Sequence, residues 1–241
     1  MVIINPSSYC ALALDNISSL NDVRHIINIT KPFFDTYKIG LELFTRFGCS
    51  VIDVVANSGK KIFLDLKYHD IPQTVENAVK VASRLGVHYL TIHTQGGTKM
   101  MKAACNAAHS ILEEGITPPK IIGVTLLTSI DSKTLLNELN VSVSIEQHIK
   151  ILALRAVDAL LDGIVCSAID LPQVKPLLPD GFEIITPGIR LPTDSFHDQK
   201  RVATPKEAIQ NGATLIVVGR SVTESKDPQA AASEIIKNIE S

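Results

Sequence analysis

The sequence predicts an α/β fold, a single-domain TIM-type (β/α)8 barrel over residues 1–241, and three observations carry that expectation. Short apolar, β-rich runs alternate with longer segments of helical period, giving eight strand–helix units. A chain of 241 residues suits one such barrel or two small domains, and no low-complexity stretch or Pro/Gly/Ser linker divides it. Polar residues also recur where the strand candidates end, the position at which barrels of this kind carry their functional groups. An open doubly wound sheet is the runner-up, but no GxGxxG follows the first strand.

The elements follow in order. Cys10–Asp15 is apolar with a polar tip, and Ala11, Ala13 and Asp15 share one face, as a crowded barrel interior requires. A helix over Leu20–Ile27 leads to a strand at Thr36–Gly40, and a long helical pattern covers Leu41–Ser58. The strand Lys61–Tyr68 precedes a proline-led helix, Pro72–Leu85. Then come strand Tyr89–Thr94, helix Gly97–Glu114 and strand Lys120–Thr125. A short helix at Lys133–Glu138 precedes the long one at Ile145–Leu161. Strand Gly163–Ser167, helix Leu171–Leu177, strand Glu183–Thr186, helix Lys206–Asn211 and strand Leu215–Val218 follow, and a helix over Pro228–Ile239 closes the pattern.

Composition excludes several function classes. A 45% hydrophobic content supplies a core and rules out disorder as the main state. Net charge of −2, with no basic cluster or aromatic-interleaved basic stripe, gives no reason to expect a nucleic-acid partner. Cys10, Cys49, Cys105 and Cys166 have no CxxC spacing and read as thiols of a reducing cytoplasm. No basic n-region or long apolar segment is present, so neither a signal peptide nor a membrane span is expected. The seven histidines show no HExxH or comparable spacing, and no metal is expected.

The stretch KIFLDLKYHDIPQTVENAVK, residues 61–80, is the most informative. On a regular strand Asp65 and Lys67 point one way while Leu64 and Leu66 point the other, and Asp70 follows where the strand turns into a loop. Charge is costly to bury unless it is paired or used. One reading is structural: Asp65–Lys67 is an ion pair and Asp70 caps the helix begun by Pro72. The other is catalytic. Opposite charges favour the ammonium form of a lysine, which can then deliver its proton to a substrate carbon. Carboxylates beside a substrate carboxylate repel it by about 4 kcal/mol for a pair ~4 Å apart at an effective dielectric of ~20.

A second cluster closes the barrel. The loops after strands seven and eight, a common phosphate site in such barrels, carry Gly188 and Arg190, then Gly219 and Arg220. Glycine allows close backbone approach and arginine offers a planar fork of donors, although either arginine alone also suits a solvated surface. Between Arg190 and Thr204 lies LPTDSFHDQKRVA, residues 191–203, of a length typical of lids and binding loops. Asp15 and Lys38 are compatible with an ordinary ion pair at the barrel mouth, and His93 with a packed or hydrogen-bonded barrel residue.

The run FLDLKYHDIPQT resembles the signature of the orotidine 5′-phosphate decarboxylase family. LALD ending at Asp15, YKIG with Lys38, GVTLLTS with Thr128, ITPGIR with Arg190, DQKR with Gln199 and VVGRSVT with Gly219 and Arg220 follow that pattern along essentially the whole chain. DxKxxD alone is shared with sugar-phosphate decarboxylases and synthases on related barrels, so a sugar-phosphate enzyme and a non-catalytic nucleotide-binding barrel stand as rivals.

The resemblance implies conversion of orotidine 5′-phosphate to uridine 5′-phosphate without a cofactor. In it Lys67 protonates C6, and Asp65, Asp70 and Lys38 complete the charged array. Asp15 meets the ribose hydroxyls, Lys38 contacts the ribose, and Thr128 reads the pyrimidine edge. Arg190, Gly219 and Arg220 hold the phosphate, and the 191–203 segment closes over it with Gln199 on the ligand. It further implies a homodimer in which Asp70, Ile71 and Thr74 enter the partner's site.

Overall fold

A computed structural model describes residues 5–191 and 203–241. Its centre is a closed barrel of parallel strands in chain order. These are β1 (Cys10–Ala13), β2 (Thr36–Gly40), β3 (Lys61–Tyr68), β4 (Tyr89–His93), β5 (Lys120–Val124), β6 (Gly163–Val165), β7 (Glu183–Thr186) and β8 (Leu215–Val218). All eight fall at the predicted places, and β1, β4, β5 and β6 stop one or two residues earlier. Asp15, Thr94, Thr125 and Ser167 therefore lie just past the strands, although the Thr125 N–H still donates to Val165 O of β6.

The helices are α1 (Leu20–Thr30), α2 (Leu41–Phe47), α3 (Cys49–Ala56), α4 (Pro72–Ser83), α5 (Gly97–Ser110), α6 (Ser132–Asn137), α7 (Ile145–Asp158), α8 (Leu171–Val174), α9 (Pro205–Gln210), α10 (Arg220–Thr223) and α11 (Pro228–Glu240). The single helix expected over 41–58 is broken at Gly48, whose φ of 55° interrupts the right-handed ladder. The four-residue α10, directly after β8, was not expected. Serine, threonine or aspartate caps several starts, and Thr204 and Glu207 form a reciprocal capping box at α9.

Period-two alternation divides the core. Inward residues Ala11, Phe63, Tyr89, Ile122, Ile185 and Leu215, with Val165 and Val217, fill the barrel interior. The Phe63 and Tyr89 rings meet edge-on with centroids 5.8 Å apart. Outward residues such as Leu12, Leu14, Ile39, Leu64, Leu66 and Leu90 pack beneath the helices. The interior plug leaves the carboxyl ends of the strands as the open face.

One strand departs from regularity. Pairing of β3 with β4 jumps from Leu64–Leu90 to Tyr68–Ile92, so β3 bulges over that span. Lys67 within the bulge has φ 51°.

Candidate active site

The open face holds a cavity of about 570 Å³ whose wall includes Asp15, Lys38, Asp65, Lys67, Thr128, Arg190, Gly219 and Arg220. Its floor is the apolar upper layer of the barrel, with Ala13, Phe63, Ile185 and Val217 among the lining residues.

Four charged groups of alternating sign run along one arc. Lys38 Nζ lies 3.1 Å from Asp15 Oδ1 and 3.5 Å from Asp65 Oδ2, and Lys67 Nζ lies 2.8 Å from the same Asp65 oxygen. Lys38 and Asp65 are buried, Lys67 is half-buried and the Asp15 side chain is 46% exposed. Burial by itself would raise the Asp65 pKa. The ammonium groups of Lys38 and Lys67, with hydrogen bonds from Lys67 and Thr91, outweigh it and hold the carboxyl below the ordinary aspartate range. The Asp65–Lys67 pair is thus present as expected, but it is made at a bulge and not on a regular pleat.

Sequence reasoning missed four supporting groups. Gly40 ends β2, and a Cβ there would stand 2.7 Å from Asp15 Oδ1 and 3.1 Å from Lys38 Nζ, so the pair needs its missing side chain. Asn16, at φ 61°, donates its backbone N–H to Glu42 and its side-chain amide to Glu224, each at 3.1 Å, which anchors the turn after Asp15. The buried Thr91 hydroxyl donates to Asp65 Oδ1 and accepts from the Lys67 N–H, both at 2.9 Å. Ser167 lines the cavity with a buried Oγ that has no partner among the described residues. Period two on β4 and past β6 was a usable signal for Thr91 and Ser167; contact between strands gives Gly40 its meaning.

In the eight-membered ring β3 and β7 stand opposite, and Lys67 on β3 and Arg190 after β7 both line the cavity. Arg190 is buried, and its guanidinium donates to Ile189 O at 2.9 Å. Gly188, at φ 79°, permits the turn that aims it, and backbone bonds from Arg190 to Ala203 and from Ala203 to Gly188 fix the strand end. Among the described residues a Cβ at Gly219 would meet only ordinary contact with Ala13, at 3.6 Å, so packing against them does not demand glycine there. Gln199 lies outside the described residues.

Asp70, Ile71 and Thr74 are exposed and are not part of the cavity wall. The capping role considered for Asp70 is not the one it takes: Ile71 is the N-cap of α4, without a side-chain cap, and Asp70 Oδ1 accepts from the adjacent Ile71 N–H at 2.7 Å. His93, at the end of β4, packs its ring on that of His69 with centroids 5.4 Å apart, and its Nδ1 has no partner among the described residues. Burial, then the neighbouring His69 and Lys67, push its pKa down against the opposing pull of Asp65. Among the described residues no group of three or more His, Cys, Asp or Glu side chains is placed to hold a metal ion. No helix among them is long and apolar enough to cross a membrane.

Comparison with known proteins converges with this geometry. Residues 8–235 match the model of the orotidine 5′-phosphate decarboxylase / HUMPS family. The chain belongs to that family. An orotidine 5′-phosphate decarboxylase of Prochlorococcus marinus (strain MIT 9215) is 44% identical over 211 residues, covering 87% of each chain. One from strain MIT 9312 is 39% identical over 238 residues, 98% of each. Among solved structures, the orotidine 5′-phosphate decarboxylase of Lactobacillus acidophilus superposes with TM-score 0.83 at 36% identity, covering 96% of this chain and 99% of its own. The similarity spans the barrel and both charged clusters, in keeping with the family resemblance of the motifs.

Proposed function

We infer that this chain is a carboxy-lyase that converts orotidine 5′-phosphate to uridine 5′-phosphate, a step of pyrimidine nucleotide synthesis, with Lys67 as the proton donor and without a cofactor. The observation that carries the reading is the alternating array Asp15–Lys38–Asp65–Lys67 lining one cavity together with Arg190. An anionic phosphate suits the arginine side, and the ring then lies toward the lysine.

In this reading the bond from C6 to the carboxylate breaks heterolytically. Carbon dioxide leaves, and the electron pair stays on C6 in the ring plane, where ring conjugation cannot spread it. The Lys67 ammonium stabilises that charge and transfers a proton to C6, becoming a neutral amine until solvent reprotonates it. Asp65 aligns the ammonium and, with Asp70, crowds the departing carboxylate. Asp15 and Lys38 take the ribose, Thr128 the pyrimidine edge, and Arg190, Gly219, Arg220 and Gln199 the phosphate. Residues 1–241 act as one catalytic domain.

The same reading makes the enzyme a cytoplasmic homodimer. Ile71 leaves 66% of its surface exposed between Asp70 and Pro72 at the mouth of the barrel, which supports its passing with Asp70 and Thr74 into a partner's site. Cys10, Cys49 and Cys105 are free thiols, which suits a reducing compartment.

The test is loss of orotate absorbance on adding orotidine 5′-phosphate to chelator-treated protein, beside Lys67→Ala. Turnover by the wild type and none by the variant is expected. Absence of turnover by folded wild-type protein overturns the assignment and directs attention to sugar phosphates.

A further inference from the structure

Lys67 keeps a left-handed backbone, φ 51°, which a residue other than glycine holds only where its surroundings impose it. The β3–β4 ladder does not impose it, because pairing skips from Leu64–Leu90 to Tyr68–Ile92. The Lys67 N–H donates to Thr91 Oγ1 at 2.9 Å, and the Thr91 hydroxyl donates to Asp65 Oδ1 at 2.9 Å. A hydroxyl has one hydrogen; with Lys67 donating to the oxygen, that hydrogen belongs to Asp65. Asp65 Oδ1 is thereby occupied, and Oδ2 is left to face the Lys67 and Lys38 ammonium groups at 2.8 and 3.5 Å. Thr91 is wholly buried and is not part of the cavity wall.

We propose that Thr91 is a positioning residue: one hydroxyl fixes both the backbone of the proton donor and the rotamer of the carboxylate that aligns its ammonium. The inference rests on Lys67 as the acid. It acts through geometry and leaves substrate binding largely alone.

Steady-state kinetics and uridine 5′-phosphate binding of Thr91→Val, Thr91→Ser and Lys67→Ala test it. T91V, nearly isosteric, is expected to lower kcat by roughly tenfold to a hundredfold, as for loss of a hydrogen bond to a charged group, with KM and product affinity within about threefold. T91S, which keeps the hydroxyl, is expected to stay within about threefold of wild type throughout. An unchanged kcat in T91V overturns the proposal, as does an equal loss in T91S, which would mark a packing role. A rise in KM with kcat intact also overturns it. Should T91V not fold, Thr91→Cys replaces it, since a thiol is a weak donor and acceptor and is expected to follow T91V and not T91S. K67A separates the two readings. Turnover surviving in K67A removes Lys67 as the acid, whereas an inactive K67A beside an unaffected T91V removes only the role of Thr91.

Discussion

Gly40→Ala puts one methyl group against the ribose end of the charged array. Gly40 has φ −89° and ψ −178°, a conformation open to any residue, so space and not backbone freedom keeps glycine there. The new Cβ would stand 2.7 Å from Asp15 Oδ1, closer than such atoms approach, and the half-exposed carboxylate is the part able to move. Its rotation breaks the 3.1 Å pair with Lys38, but Lys38 keeps Asp65 at 3.5 Å and is not left as an unpaired buried charge. Screening at the exposed partner holds the pair to about 1 kcal/mol. Alanine at the N-cap of α2, where Gly40 sits, adds roughly 0.5–1 kcal/mol. Thermal unfolding is therefore expected to fall by only a few degrees, about 2–4 °C per kcal/mol at this size.

Activity is expected to fall further than stability. Displacing Asp15 removes its proposed contact to the ribose, about 1.5–3 kcal/mol for a hydrogen bond to a charged group, or roughly tenfold to a hundredfold in kcat/KM. The assay is steady-state decarboxylation beside circular-dichroism melting, repeated in an Asp15→Ala background. There the methyl group has no carboxylate to displace, so G40A is expected to add little further loss in kcat/KM. A kcat/KM within twofold of wild type in folded G40A, or an undiminished effect on top of D15A, refutes the reasoning.

Two further outcomes are expected. Mixing Lys67→Ala with Asp70→Ala protein, with subunit exchange verified, restores part of the activity if Asp70 serves the partner's site; no recovery argues against shared sites. In the pH dependence of urea unfolding, Asp65 has its folded pKa below the ordinary 3.8, so its contribution is fully present above that value and is lost as pH falls through the folded one. Asp65→Asn is expected to cost about 3–5 kcal/mol at neutral pH by leaving two ammonium groups under-compensated, with the difference from wild type shrinking only below pH 3.8. A difference that does not change with pH contradicts the role given to the carboxylate.

How much of this was legible in the chain depends on the range of the interaction. Strand positions came from alternation within five to eight residues, and all eight were found because the barrel interior and the helix-facing layer each demand an apolar side chain at every second place. Asp65, Lys67, Arg190, Gly219 and Arg220 were legible because they sit at strand ends, where the fold class itself says function lies. The unbroken helix expected over 41–58 failed locally, at one glycine whose positive φ outweighs an otherwise helical pattern.

The sequence by itself determined the barrel, its strand order and which charged residues stand at its mouth, because alternation, turn residues and charge are properties of short segments. Only the tertiary structure decided how that chemistry is held. Lys38 finds Asp15 across 23 residues, and Asp65 finds the Thr91 hydroxyl across 26, each through the pairing of neighbouring strands. The close approach at Gly40 exists only once β1 pairs with β2, and the bulge at Lys67 only once β4 pairs with β3. Such partners are set by inter-strand register, which no local pattern encodes, and they hold these charged side chains in one arrangement.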